Sequence, residues 1–311
     1  MPLGPQLDTY RFPQLGGGWR GMLDSEGTTA AEFQLGYLFT LFDYHLLGRG
    51  RALKRQGTQA ILAATINGAA GIQGMFFYNL GSTDYLILVS NGKVKHYNGS
   101  AYTDITGSIT LATGDNNLTR FAQFQQGSTA YLVGTAPNNG ALWYWTGSGN
   151  AATLASLITD ANARAPSRAV DLAEWNGRLW AINTDLSPNA VEFSDDGVID
   201  SWNAGNYLYP ARSSKGMGLA RHSNGMLLAF YEDSVYRIES DPVEFGGESE
   251  LFSVNVVDGN VGASSTYSII NSQGITYFAS ERGIYRIRSG RGPAEYLSYP
   301  IQEYWKGLNQ A

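Results

Sequence analysis

A short strand followed by a polar turn recurs five times along this chain. The copies read VKHYNG from Val94, LWYWTG from Leu142, VEFSDDG from Val191, VYRIESD from Val235 and IYRIRSG from Ile284. Their start-to-start spacings are 48, 49, 44 and 49 residues. The context recurs too. An apolar strand precedes each copy, at Tyr85–Val89, Tyr131–Gly134, Leu179–Asn183, Met226–Tyr231 and Ile275–Ala279. Another precedes that, at Gly74–Tyr78, Phe121–Phe124, Ala169–Trp175, Gly216–Arg221 and Thr266–Ile270. A weaker strand follows, at Tyr102–Thr106, Ala152–Leu157, Asp200–Trp202, Leu251–Val257 and Glu295–Tyr299. Four short strands per unit, joined by Gly, Asn, Ser and Asp turns, predict one antiparallel sheet per repeat.

A repeat of 40–50 residues with four strands is the pattern of a β-propeller blade. A single blade is a small twisted sheet with two partly apolar faces, and it buries them only by stacking on neighbours around an axis. The predicted class is therefore all-β, a propeller of five to six four-stranded blades. Residues 71–300 hold five blades. Residues 1–70 form an N-terminal arm and partial blade, with strands expected at Tyr37–Tyr44 and from Ala52 to Arg55, and residues 301–311 form a tail. The arm is expected to contribute to the last blade, beside the C-terminal tail; five blades plus a separate arm is the other count. A sandwich pair or a solenoid also accommodates repeated strands, but sandwich strands do not normally recur in groups of four with matching turns.

Composition agrees with many strands and tight turns. The 311 residues include 38 Gly, 19 Tyr, 13 Phe and 7 Trp, and charged residues make up 15% against a usual figure of about 25%. With no cysteine, disulfides, Cys-based zinc sites and a cysteine nucleophile are excluded. A net charge of −6 gives no general attraction for nucleic acid. The N-terminus lacks the basic and apolar regions of a secretory signal. The most apolar stretch, Leu35 to Leu47, is broken by Gly36, Asp43 and His45 and is too short to span a bilayer.

Few residues suggest chemistry. His45, His96 and His222 fall in different units without metal-ligand spacing and read as strand or turn residues. No nucleophile elbow or P-loop lysine pattern occurs, and the clusters Gly16–Gly18 and Gly48–Gly50 lack the strand–helix context of a phosphate cradle. No catalytic, metal or cofactor residue is assigned. Carboxylates for glycoside hydrolysis would have to come from Asp171, Glu174, Asp185, Asp195 or Asp233. The segment SDDGVIDSW, Ser194–Trp202, loosely resembles the Asp-box of sialidase-like propellers, with Gly197 one residue early and Trp202 one late. It reads as a β-turn whose Asp side chains bond local backbone amides. Trp143, Tyr144 and Trp145 should alternate between the two faces of a blade.

One basic cluster stands out: Arg49, Arg51, Lys54 and Arg55 in GRGRALKRQG. It reads either as a contact for phosphate or an acidic partner, or as a solvated strand edge whose charges discourage unwanted pairing.

The order of features resembles a known group. A Gly-rich opening (Gly16–Gly18), the segment Ala30–Gln34 and the turn Arg55–Gly57 lead into PSRAVDLAEWNGRLWAIN (Pro166–Asn183) and VEFSDDGVIDSWN (Val191–Asn203). MLLAFYEDSVYRI (Met226–Ile238) and GITYFASERGIYRI (Gly274–Ile287) follow. This succession resembles β-propeller proteins of tailed bacteriophages, the group of tail-nozzle, tail-hub and packaged-DNA-stabilisation proteins. The resemblance implies a structural virion protein, not an enzyme, and carries over no catalytic residue or cofactor. It implies a homo-oligomeric ring below portal and adaptor that contacts other tail proteins and passing DNA, without a membrane partner. Nozzle proteins of the group are often longer, with inserted domains. The functions set against this one are a carbohydrate-binding or glycoside-acting propeller, expected to show an axial pocket lined with carboxylates and aromatics, and a general interaction scaffold.

Overall fold

The computed structural model describes residues 70–299 except 100, 115, 139, 161–162, 212–213, 224 and 242–250, with Asp241 and Leu251 as backbone only. Outside this stretch it describes short strands of residues 1–69 as backbone, together with Gln302 and Trp305. The polypeptide divides into two compact units: Ala64–Ser280 with Arg286–Glu295, and Met1–Ala63 with Glu281–Tyr285 and Tyr296–Ala311.

The described residues contain five four-stranded antiparallel sheets, each following sequence order. Sheet 1 is Ile72–Leu80, Thr83–Ser90, Lys93–Tyr97 and Tyr102–Asp104. Sheet 2 is Phe121–Gln126, Thr129–Gly134, Trp143–Trp145 and Ala152–Thr153. Sheet 3 is Asp171–Trp175, Arg178–Ile182, Val191–Phe193 and Tyr207–Leu208. Sheet 4 is Gly216–His222, Met226–Tyr231, Val235–Asp241 and Leu251–Asp258. Sheet 5 is Ile270–Ser272, Ile275–Ser280, Gly283–Ile287 and Glu295–Tyr296.

Local chemistry sets the registers. Asn176–Gly177 takes φ of 52° and 69° at the first hairpin of sheet 3, the paired positive φ of a type I′ turn, whose twist matches that of the strands it joins. Asn91–Gly92 and Gln273–Gly274 repeat the pattern in sheets 1 and 5.

The sheets stack in series, and their cores lie between them. Tyr78, Ile87 and Val89 of sheet 1 pack with Leu132, Trp143 and Trp145 of sheet 2. Phe124, Val133 and Leu142 on the other side of sheet 2 pack with Leu172, Leu179 and Ala181 of sheet 3. Trp180, Ile182 and Phe193 of sheet 3 then meet Leu227, Ala229 and Tyr231 of sheet 4. Phe230 of sheet 4 lies 5.1 Å from Phe278 of sheet 5. The period-2 alternation of a strand does this sorting: in LWAI, Leu179 and Ala181 face one neighbour and Trp180 and Ile182 the other. First strands of successive sheets lie side by side from sheet 2 to sheet 5. This serial stacking of four-stranded meanders around their first strands is a β-propeller.

Two outer strands and one first strand differ from the expectation. Asp200–Trp202 is irregular backbone after a turn at Asp196–Gly197, and the fourth strand of sheet 3 is Tyr207–Leu208 instead. The Trp202 indole is buried and donates to Ile199 O at 2.9 Å, which closes this segment. The predicted strand Ala152–Leu157 stops at Thr153 and becomes a 3₁₀ turn at Leu154–Ser156, where Leu154 plugs the core. Thr266–Ser268 is likewise 3₁₀, with the Ser265 hydroxyl accepting from Tyr267 N. Among residues 1–69, Arg51–Lys54 lies between Thr9–Arg11 and Tyr44–Leu46 in an antiparallel sheet. Gly21–Met22 pairs in parallel with Tyr37–Leu38. The single strand expected at Tyr37–Tyr44 is thus two short ones, and residues 39–43 lie outside the described residues.

Candidate functional site

The first strands meet at a polar hub centred on Asp171, the first residue of sheet 3. Its Oδ1 accepts from Arg120 Nε and from Leu172 N, both at 2.9 Å, and its Oδ2 accepts from Leu219 N at 2.9 Å. One carboxylate thereby ties the residue before sheet 2 to the first strands of sheets 3 and 4. Sheet 5 joins through Thr266, whose hydroxyl donates to Met217 O. Gly218 lets the strands approach closely here: a Cβ would stand 2.6 Å from Ile269 Cδ1 and 3.0 Å from Asp171 Oδ2, and both side chains would have to shift. Burial works to lower the Arg120 guanidinium, but the Asp171 carboxylate more than offsets it and holds Arg120 above its ordinary value. Asp171 is 1% exposed, and burial pushes its carboxyl above the usual range against the pull of Arg120 and two backbone N–H groups.

Beside this hub lies an open cavity of about 480 Å³. Its walls come from residues 72–76 of sheet 1, residues 118–121 before and at the start of sheet 2, and Tyr267 before sheet 5. Phe76 and Phe121 stack at 5.5 Å on one side. The Arg120 guanidinium lies 5.2 Å from the centre of the Tyr267 ring, within cation–π range. Burial raises the Tyr267 hydroxyl above its usual range, so it is a neutral donor at physiological pH. Gln73, also in the wall, is saturated: its Nε2 faces Ala112 O, Gly114 O and Asn117 O, and its Oε1 accepts from Gly92 N at 2.7 Å.

The carboxylates named from the sequence have separate partners. Asp171 is committed to the hub. Glu174 accepts from Arg221 at 2.6 Å. Asp185 receives both Arg164 Nη1 and Ser167 N, while Glu192 takes Arg164 Nη2. Asp233 accepts from the Ser234 hydroxyl. The Asp-box-like segment is a turn, as expected, with Gly197 at φ 70°. Its carboxylate, however, bonds side chains and not backbone amides: Asp195 accepts from Ser201 Oγ, Asn203 Nδ2 and Asn206 Nδ2, each at 2.6 Å. Burial works against ionisation there, and these donors outweigh it, holding Asp195 below the usual carboxylate range.

His222 bridges sheets 4 and 5, with Nδ1 3.0 Å from Thr276 Oγ1 and Nε2 3.1 Å from Arg288 O. His96 stacks on Trp145 at 5.3 Å. Burial lowers both imidazoles. His45 lies in a strand whose side chains are not described. The described residues contain no cluster of three His, Asp or Glu arranged for a metal, and no described helix is long and apolar enough to cross a membrane. Trp143 and Trp145 face sheet 1 and Tyr144 faces sheet 3, as alternation requires. In the basic cluster, Arg51 and Lys54 are the end residues of one strand, Arg51 opposite Arg11 and Lys54 opposite Tyr44; Arg49 and Arg55 lie outside the described residues. Arg120 and Tyr267 have no signal in the sequence, because the contact between them spans three repeats.

No family model matches this sequence, and no curated protein matches it. Solved structures do resemble the fold. Virginiamycin B lyase from Staphylococcus aureus is 15% identical, with a TM-score of 0.47 over 74% of this protein and 70% of that one. YCF48 bound to D1 peptide is 13% identical, with a TM-score of 0.45 over 75% and 70%. The β-propeller domain of Cps50 (Swd1) from Myceliophteria thermophila is 9% identical, with a TM-score of 0.45 over 72% and 72%. The extracellular domain of a one-component system from B. thetaiotaomicron matches over 74% of this protein but only 34% of its own length. It is the serial stacking of four-stranded sheets that makes the protein a β-propeller, and a fold of this kind does not by itself imply a function.

Proposed function

We propose that the protein is a structural, non-catalytic propeller that assembles as a ring subunit in the tail of a tailed bacteriophage, extending the DNA channel below portal and adaptor. In this reading the N-terminal strands build a sixth blade, exchanged between neighbouring subunits. The order of strand motifs supports the phage assignment. Assembly is supported by the face of sheet 1 turned away from sheet 2. There Met75 is 63% and Phe77 72% exposed, opposite Leu88 and Leu86 on the next strand. Tyr97 and Tyr102 extend the face with rings 5.1 Å apart. A propeller blade normally buries both faces, and an exposed apolar patch of this kind supports a reading in which a neighbour covers it. A glycoside-acting propeller would need two carboxylates facing one substrate; the acids named above are each engaged elsewhere.

The test is the mass of the native particle by light scattering, alone and with a portal–adaptor complex. A closed oligomer, or binding to the portal only through the adaptor, is expected. A persistent monomer that ignores the complex would overturn the reading.

A further inference from the structure

We infer that the cavity beside Asp171 is a binding site for an aromatic carboxylate, a ligand carrying a single carboxylate on a flat apolar body. Three observations converge on this class. First, Asp171 uses only the Nε of Arg120, and among the described residues no acceptor takes its two Nη groups. Arg120 is 28% exposed and lines the cavity. Its outer edge therefore presents two parallel N–H donors, the fork that matches a carboxylate.

Second, the fork cannot swing. Asp171, itself held by two backbone N–H groups, fixes the inner side, and the Tyr267 ring covers one face. A guanidinium held by a buried carboxylate behind and an aromatic ring above is pre-organised, so little side-chain entropy is lost when a ligand docks.

Third, the wall beyond the fork, which also holds Gln73 and Thr119, carries a flat apolar stretch. The stacked Phe76 and Phe121 rings and the 48% exposed Ile72 offer an aromatic body a surface but no hydrogen-bonding groups of their own. The cavity volume lies within the range of small-molecule sites. The Arg120–Asp171 pair is neutral overall, so a single carboxylate is favoured over a multiply charged anion such as a string of nucleotide phosphates.

The full-length protein would be titrated calorimetrically with N-acetylphenylalanine and with its carboxamide, which has the same body without the charge. The acid should bind at least about tenfold more tightly than the amide. Arg120→Lys keeps a cation beside Asp171 and loses the fork, and it should weaken the acid about tenfold while leaving the amide unchanged. Tyr267→Leu leaves the buried ion pair intact and should weaken both ligands. A short peptide ending in phenylalanine separates the two sources of such a group: tighter binding than the free acid assigns the site to a peptide C-terminus, and equal binding to a small free acid. Equal affinity for acid and amide, no binding by about 10 mM acid, or acid binding untouched by Arg120→Lys would overturn the inference.

Discussion

Asp171 ties three sheets together, because one carboxylate serves the inner strands of two sheets and the arginine before a third. Removing one partner of a buried ion pair leaves the other uncompensated, at a cost of about 3–5 kcal/mol. Arg120 is partly exposed, so Asp171→Ala should cost about 3 kcal/mol, measured by urea denaturation against the parent protein. His222 makes a different prediction. Burial lowers its folded-state pKa below the unfolded value, so the folded protein binds fewer protons than the unfolded one. Its contribution is complete above the unfolded pKa of about 6.5 and is lost as the pH falls from there toward the lower folded value. The midpoint of urea unfolding should fall between about pH 7 and pH 5, and His222→Gln should flatten that slope. An identical slope in the variant would place the titration elsewhere. The paired acids Asp185 and Asp195, held below the carboxylate range, act in a separate window, below about pH 4.

Each sheet works as a double-sided spacer. Strand Trp143–Trp145 delivers two indoles to one neighbour and a phenol to the other, and the two sides have unequal weight. Trp143 is fully buried whereas Tyr144 is half-buried. Trp143→Ala should cost about 3–5 kcal/mol through lost transfer energy and a residual cavity; Tyr144→Ala should cost less, and thermal melts compare the two. The space Trp143 occupies exists because Gly134 has no side chain: a Cβ there would stand 2.2 Å from Trp143 Cζ2. Gly134→Ala should therefore destabilise by about 1–3 kcal/mol, an overpacking cost, and Trp143→Leu in the same protein should recover part of it. Full additivity of the two changes would mean they are not in contact.

For the whole molecule, the exposed face of sheet 1 separates folding from assembly. Phe77 is largely in solvent, so Phe77→Asp should alter the stability of the subunit by no more than about 0.5 kcal/mol. The same change should weaken the oligomer, which sedimentation velocity would register as a shift toward monomer. Deleting residues 1–30 should also abolish assembly and leave a folded monomer if the arm is exchanged. Rings formed by the shortened protein would argue that the arm stays on its own subunit.

The repeat was legible because it is local. Strand alternation, turn glycines and the spacing of VYRI and IYRI follow from backbone sterics within a few residues, and they placed the inner three strands of the sheets to within a few residues, the first strand of sheet 5 apart. Outer strands were less legible. Asp200–Trp202 and Tyr207–Leu208 are both short and mixed in polarity, and the choice between them fell to the buried Trp202 indole and the Asp195 turn. The cavity was not legible at all. Arg120, Asp171 and Tyr267 are separated by 51 and 96 residues, and an arginine before a strand has no local signature of what it will face. The sequence by itself determined that this protein is built from repeated four-stranded sheets, since hydrogen bonding and side-chain alternation act over short distances. Which first-strand residues converge, and that a buried carboxylate leaves one arginine edge open beside two aromatic walls, was decided only when the sheets stacked, because packing brings together residues that no local rule relates.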